Sequence, residues 1–167
     1  PLEIVYGDTD SMFVHLHGRS KQEAFSIGRN IAATITAHAP VNVALKFEKV
    51  YHPCVLVAKK RYTGLMYETE TQDAGSLDVK GLECVRRDQC PATQKLQEKV
   101  LRTLFATRDL SLVREYVCTQ FSRLLLGAQG ASVRDFVFSK EVRLGHYRNE
   151  NQEPPGAVLA RTKMAVD

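Results

Sequence analysis

The octet Val5-Tyr6-Gly7-Asp8-Thr9-Asp10-Ser11-Met12 decides how this chain is read. It sets two carboxylates two residues apart, with strand-like residues entering (Ile4-Val5-Tyr6) and leaving (Met12-Phe13-Val14). Apolar runs around a short polar segment predict a β-hairpin with Asp8 and Asp10 at its tip. A hairpin tip holds carboxylates rigidly and leaves them open to solvent. Hard divalent cations need that arrangement. Mg²⁺ takes oxygen ligands, keeps several waters and is held by one or two carboxylates plus substrate phosphates. The octet therefore points to metal-assisted phosphoryl chemistry on a nucleotide. A bare Asp-x-Asp is also a common solvated turn, because aspartate hydrogen-bonds its own backbone there. The surrounding residues must carry the rest of the argument.

Downstream of the hairpin the pattern turns helical from Ser20 to about His38. Ser20 and Glu23 form a capping box, Ile27, Ile31 and Ile35 make one apolar stripe, and Pro40 ends the run. Val43 to Val50 alternates and predicts a half-buried strand; Cys54–Ala58 and Gly64–Tyr67 predict two more. Residues 69–79, with Asp73-Ala74-Gly75-Ser76, read as an exposed loop. Two helices follow over 89–127. Pro91 suits a first helical position; Leu96, Val100 and Leu104 make the first stripe; Asp109 precedes the second helix and Gly127 closes it. Phe136–Val142 reads as a strand, 146–156 as a polar loop, and Ala157–Val166 as the start of a helix. The fold class expected is α+β: an antiparallel sheet with a packing helix, then a mainly helical part.

Composition narrows the function classes. Hydrophobic residues at 44% against 25% charged describe a globular chain rather than a disordered one. No apolar run approaches the ~20 residues that span a bilayer, so no membrane partner is expected. The net charge of +4 arises entirely after residue 58, and a basic surplus there fits a polyanionic partner. Cys54, Cys84, Cys90 and Cys118 form no Cys-x-x-Cys pair and the histidines do not cluster with them, so no zinc or iron–sulfur site is expected. Strand-like sequence begins at once after Pro1, without a secretory signal, which reads as a cut through a larger protein.

Two basic segments add to the acidic hairpin. Lys59-Lys60-Arg61-Tyr62 joins three cations to a ring, which suits a nucleic-acid backbone, although a solvated charge run at a turn has the same composition. In Lys80-Gly81-Leu82-Glu83-Cys84-Val85-Arg86-Arg87-Asp88, Gly81 supplies either an unusual backbone angle or a close approach. Arg86 and Arg87 can hold phosphates; equally, one can pair with Asp88 or Glu83.

These three segments together resemble the family B DNA polymerases. Tyr6–Ser11 (YGDTDS) resembles motif C, Lys60-Arg61-Tyr62 resembles the Lys-x-Tyr motif, and Lys80–Asp88 resembles the K-G-[IL]-E-x-V-R-R-D segment, in the family's order and over essentially the whole chain. The resemblance implies that residues 1–88 are part of a palm and 89–167 an incomplete thumb. It implies a DNA-directed DNA polymerase that transfers nucleotides to a primer 3′-hydroxyl with two Mg²⁺ ions. Asp10 is then the direct metal ligand and Asp8 lies beside the site in a secondary role. Tyr6, Gly7, Thr9 and Ser11 shape the hairpin. Lys60 and Tyr62 hold the primer end, with Lys59, Arg61, Lys80, Arg86 and Arg87 as further nucleic-acid contacts.

The implied partners are primer-template DNA, deoxynucleoside triphosphates and accessory polymerase subunits bound through regions outside this chain. The implied location is nuclear. Tyr6–Val14, Gly64–Thr69, Cys90–Asp109, Phe138–Glu141 and Pro155–Ala157 resemble the family's translesion branch, with the replicative delta-type branch as runner-up. The family also needs an aspartate in a D-x-x-S-L-Y-P-S motif and a fingers lysine in K-x-x-x-N-S-x-Y-G. Neither occurs in these 167 residues, so the piece is expected to be inactive alone. Two rival readings are a non-catalytic polymerase-derived DNA-binding scaffold and a glycosyltransferase using Asp-x-Asp to hold Mn²⁺. The second usually requires a β-α-β region ahead of the acidic pair.

Overall fold

The structure, a computed structural model, describes residues 2–127, 132–139, 141 and 154–164. Strands β1 (Leu2–Asp8) and β2 (Ser11–Leu16) pair antiparallel, with Asp8 opposite Ser11, so the loop between them is Thr9-Asp10. Helix α1 (Lys21–His38) follows, then strands β3 (Val50–Ala58), β4 (Arg61–Tyr67) and β5 (Ser76–Lys80) form an antiparallel sheet in sequence order. The rest is helical: α2 (Pro91–Thr107), α3 (Leu110–Leu125) and α4 (Pro155–Met164). The α+β class is as expected. Among the described residues no helix is long and apolar enough to cross a membrane.

Helix α1 starts where the capping box places it. The Glu23 amide donates to Ser20 Oγ at 3.3 Å and the Ser20 amide donates to Glu23 Oε2 at 2.9 Å. Such a cap contributes about 1 kcal/mol by satisfying amides that have no helical partner. The core-facing side is not the isoleucine stripe. Phe25 and Ala32 are buried, whereas Ile35 is exposed and Ile27 and Ile31 are half-buried. Gly28 explains the choice of face. A Cβ at Gly28 would overlap the Phe47 ring, so its absence lets Phe47 reach the helix backbone and meet Phe25 edge-on at 5.5 Å. The isoleucines line a shallow apolar groove with Leu2 instead.

Three expected elements are corrected. Residues 43–49 form no strand. Leu45 and Phe47 are half-buried and Lys46 and Glu48 exposed, so the alternation is real, but the ladder is missing. The Leu45 amide donates to Thr36 Oγ1 at 2.9 Å and the Leu45 carbonyl accepts from it at 3.4 Å. A helix side chain thus takes the polar groups that a neighbouring strand would have paired. The expected loop 69–79 gives way to β5 at Ser76. Leu77 and Val79 pair with Leu65 and Thr63, and their alternation was masked by the turn residues Asp73-Ala74-Gly75 before them. The expected strand 136–142 is a 3₁₀ turn over Val133–Phe136, with no strand at 137–139; Lys140 and Val142 lie outside the described residues. Ser132 Oγ caps that turn by accepting from the Arg134 amide, and Lys95 of α2 holds Asp135 at 2.8 Å. Of the expected terminal helix, the described part runs from Pro155 to Met164; residues 146–153 of the expected loop lie outside the described set.

Gly81 joins the sheet to the helical part through a position that only glycine fits. Its φ is +67°, and a Cβ there would overlap the Lys60 carbonyl. Both features expected of it are present. Gly18 has nearly the same φ, +66°, but open space around it. Gly81→Ala is therefore expected to cost at least ~2 kcal/mol, against about 1 kcal/mol for Gly18→Ala, where only the left-handed backbone is strained. Urea unfolding of the two variants checks this; equal losses would remove the close approach from the account.

Candidate nucleic-acid and metal site

The site forms where two hairpin tips meet. The first is the β1–β2 tip. Its loop is closed by the Asp10 amide donating to the Asp8 carbonyl at 2.6 Å and by Ser11 Oγ donating to the same carbonyl at 3.3 Å. Thr9 takes φ +49° to make the turn and leans its hydroxyl on Asp8 Oδ1 at 3.4 Å. A β-branched residue in the left-handed region costs on the order of 1–2 kcal/mol, so the surrounding pairing must hold it there. The Thr9 and Ser11 side chains thus both contact Asp8 within the turn. Asp10 is exposed, and its carboxylate has no hydrogen-bond or ion-pair partner among the described residues.

The second tip is the two-residue turn Lys59-Lys60, which connects Ala58 of β3 to its partner Arg61 of β4. Lys60 also has a left-handed backbone, φ +59°. Its amide donates to Tyr6 Oη at 2.9 Å, and its ammonium donates to both Asp8 oxygens, at 2.8 and 3.2 Å. Behind this junction lies a cluster of four rings. Phe13 meets Tyr62 edge-on at 5.0 Å, Tyr6 at 5.6 Å and Tyr51 at 5.6 Å; Tyr62 also packs on Tyr6 at 6.0 Å and Tyr51 at 6.3 Å. Aromatic pairs at such distances contribute about 0.5–1.5 kcal/mol each beyond their buried area. Tyr62 is thus a structural ring whose hydroxyl has no hydrogen-bond partner among the described residues.

The remaining expected contacts divide into free and committed cations. Lys59 has no ion-pair partner among the described residues. Lys80 stands opposite Tyr62 across the sheet and lies 3.4 Å from Asp78. Arg61 is committed. It pairs with Glu83, whose other oxygen accepts from Gln97 Nε2 at 2.7 Å; Gln97 Oε1 in turn accepts from the Cys84 amide at 2.6 Å. Arg86 takes the pairing alternative, donating twice to Asp88 at 2.6 and 2.9 Å. Arg87 lines an open groove of about 460 Å³ at the start of α2 with Gln89, Gln94, Arg134 and Ser139. The hairpin tips therefore gather Asp8, Asp10, Tyr6, Lys59, Lys60 and Tyr62. Arg86 and Arg87 belong to the approach to α2 instead.

Sequence reasoning missed three features. Asp78 is a half-buried carboxylate that accepts from Tyr51 Oη at 2.6 Å and Lys49 Nζ at 3.2 Å. Burial alone would raise its pKa, but the Tyr51 hydroxyl and the flanking lysines hold it below the ordinary range. Burial, and then Asp78, push the Tyr51 phenol well above its ordinary value. Nearby, desolvation pushes the Cys54 thiol up to about 11. The Arg61–Glu83–Gln97 chain was invisible because its members lie in three elements. The third feature is the meeting of Glu3, His15 and His17, of which the hairpin register could have disclosed the Glu3–His15 pair.

With this geometry in place, the chain belongs to DNA polymerase family B, whose family model matches residues 1–166. It is similar to the DNA polymerase zeta catalytic subunit of Saccharomyces cerevisiae, 47% identical over 99% of this chain and 11% of that protein. The human DNA polymerase zeta catalytic subunit is 53% identical over 93% of this chain and 5% of its own length. The DNA polymerase delta catalytic subunit of Mesocricetus auratus matches less of it, 43% over 64% of this chain and 10% of that protein. The chain thus spans about a tenth or less of the length of the zeta relatives it matches.

The Lys60–Asp8 pair sets a pH dependence whose sign follows from both partners. Hydrogen bonding from Lys60 holds the Asp8 carboxyl below the ordinary carboxylate range, and the same bond raises Lys60 above the ordinary lysine value. The contribution of Asp8 is present above its unfolded pKa and is lost as pH falls through the depressed value. That of Lys60 is present below its unfolded pKa and is lost as pH rises through the raised one. The pair therefore holds across the neutral range. A carboxyl NMR titration should find Asp8 with a low midpoint that moves upward in Lys60→Met; an unmoved midpoint would break the assignment.

Proposed function

We propose that this chain is the part of a zeta-type family B DNA polymerase that presents motif C and the Lys-x-Tyr pair to the primer end. The reaction is template-directed nucleotidyl transfer to a primer 3′-hydroxyl, in the setting of translesion synthesis in the nucleus. One observation carries the reading. Asp10 stands exposed and unpartnered among the described residues, while Asp8, two residues away, is neutralised by Lys60. The breadth of the zeta match, against the narrower delta match, favours the translesion branch.

The donor set fits Mg²⁺. The tip offers carboxylate oxygens without a nitrogen or sulfur ligand, and too few of them to enclose an ion, as suits a cation that shares its shell with water and substrate phosphates. Asp10, assisted by Asp8 and by an aspartate outside this chain, would hold Mg²⁺, which supplies charge stabilisation at the phosphoryl oxygens and a lowered pKa at the primer hydroxyl. The chain's own residues do the positioning. Lys60 fixes the rotation of the Asp8 carboxylate and removes one negative charge from the tip, leaving Asp10 as the stronger donor. Tyr62, its ring held by Phe13, keeps its hydroxyl available to the primer end. Lys59 adds an exposed cation for a phosphate. Placement to within an ångström matters because a small displacement of reacting groups costs orders of magnitude in rate.

Asp10→Asn in the full-length polypeptide that carries these residues tests the reading. Loss of a ligand worth about 4 kcal/mol predicts a fall of roughly 10³-fold in primer extension with an unchanged circular dichroism spectrum. Retention of activity within tenfold would sink it. The Lys60→Ala, Tyr62→Ala double variant should bind primer-template more weakly, because the Asp8 charge at the tip is then uncompensated and the Tyr62 hydroxyl is lost. Tyr62→Phe, which keeps the ring in its cluster, separates loss of the hydroxyl from loss of packing. Unchanged binding in the double variant would remove these residues from the DNA contact.

A further inference from the structure

We propose that Glu3, His15 and His17 form a second metal site on this chain, at the base of the β1–β2 hairpin, for a borderline transition-metal ion of the Zn²⁺ class. The register of the hairpin builds it. Glu3 of β1 is the direct cross-strand partner of His15 of β2, and His17, in the turn just past the end of β2, lies beside both. Residues fourteen apart in sequence thereby come together: His17 Nε2 lies 3.2 Å from Glu3 Oε2, and the two imidazole rings lie 3.9 Å apart. One ligand atom from each of the three residues falls within 4.8 Å of the others.

Those distances suit a bound ion. Ligands at zinc distances in tetrahedral array stand about 3.4 Å from one another; the Glu3–His17 spacing is already close to that, and a His15 nitrogen lies within 4.8 Å of both. All three residues are exposed, with Glu3 61% and His17 46% accessible, so the remaining coordination positions open to water. As an ion pair alone, an exposed His–Glu contact contributes little, and it gives His15 no part. An ion bridging all three gives each side chain a role.

The chemistry differs from that of the hairpin tip. Two imidazoles and one carboxylate favour zinc, copper, nickel or iron over magnesium, whereas the tip offers oxygen alone. Glu3 and Asp8 are five residues apart on β1, roughly 17 Å along the strand, so the two sets share no ligand. One hairpin thus carries a hard-cation set at its tip and a borderline-cation set at its base. Occupation of the base would clamp the first rungs of the ladder, Leu2–Leu16 and Glu3–His15, whose outer face is otherwise open to solvent.

The test uses equilibrium dialysis of the full-length polypeptide against Zn²⁺, with bound metal counted per chain, and Co²⁺ absorption as a second readout of nitrogen ligation. Wild-type protein should bind one more equivalent than His15→Ala or His17→Ala, and Glu3→Gln should bind that equivalent at least tenfold more weakly. The extra Co²⁺ band should vanish in both histidine variants. Equal metal content in wild type and both histidine variants would overturn the site, and so would wild-type affinity in Glu3→Gln. Because all three side chains are exposed, the variants should keep the wild-type circular dichroism spectrum. A variant that loses it is replaced by His15→Gln or His17→Gln, read the same way. Primer extension is not among the readouts, so failure of this site leaves the polymerase reading untouched, and the reverse.

Discussion

The junction between two hairpin tips is the constraint on which the rest of this structure depends. The β1–β2 pair and the β3–β4–β5 sheet are separate sheets, with no backbone ladder between them. Three kinds of interaction bridge the gap: the Lys60 amide to Tyr6 Oη, the Lys60 ammonium to Asp8, and the ring cluster of Tyr6, Phe13, Tyr51 and Tyr62. The rings set the approach, the phenol fixes the turn, and the turn then delivers the ammonium. Both tips hold a non-glycine residue in the left-handed region, Thr9 and Lys60. Strain of that sort persists where surrounding contacts over-determine the backbone, and such positions gather at functional sites.

The junction is itself anchored from behind. Gly81 lets its chain pass against the Lys60 carbonyl, and the next elements are tied by Arg61 to Glu83, Glu83 to Gln97 and Gln97 to the Cys84 amide. Strand β4, the 3₁₀ turn at Glu83–Val85 and helix α2 thus share one polar chain. Arg61 stands in the middle of the basic run, yet its guanidinium serves this chain. Adjacent cations of one run therefore divide the work: Lys60 holds the Asp8 carboxylate, Arg61 ties to Glu83, and Lys59 is left exposed.

Much of this was legible in the sequence, and the failures have physical causes. The Asp8–Ser11 turn, the capped start of α1, Pro91 at the head of α2 and the Asp109 cap of α3 are local signals, and local signals survived. Residues 43–49 failed because alternation reports which side chains are buried and not which partner takes the backbone; here Thr36 took it. The isoleucine stripe failed because Gly28, with no side chain to register in an apolar pattern, decided which face Phe47 could reach. At the site, the residue types were legible and their pairings were not. Nothing in the spacing says that Lys60 would find Asp8 across 52 positions or that Arg61 would find Glu83.

The division of the junction into a charged link and an uncharged one has a consequence for ionic strength. The Lys60 ammonium is three-quarters exposed, so dissolved salt shortens the reach of its attraction for Asp8. The Tyr6 bond to the Lys60 amide and the ring packing carry no net charge and are indifferent to such screening. As salt rises, the carboxylate tip keeps its place while the attraction between Lys60 and Asp8, and the field of the tip's own charges, are screened. The hairpin can therefore stay docked through changes in ionic strength. Position and potential are set by different atoms.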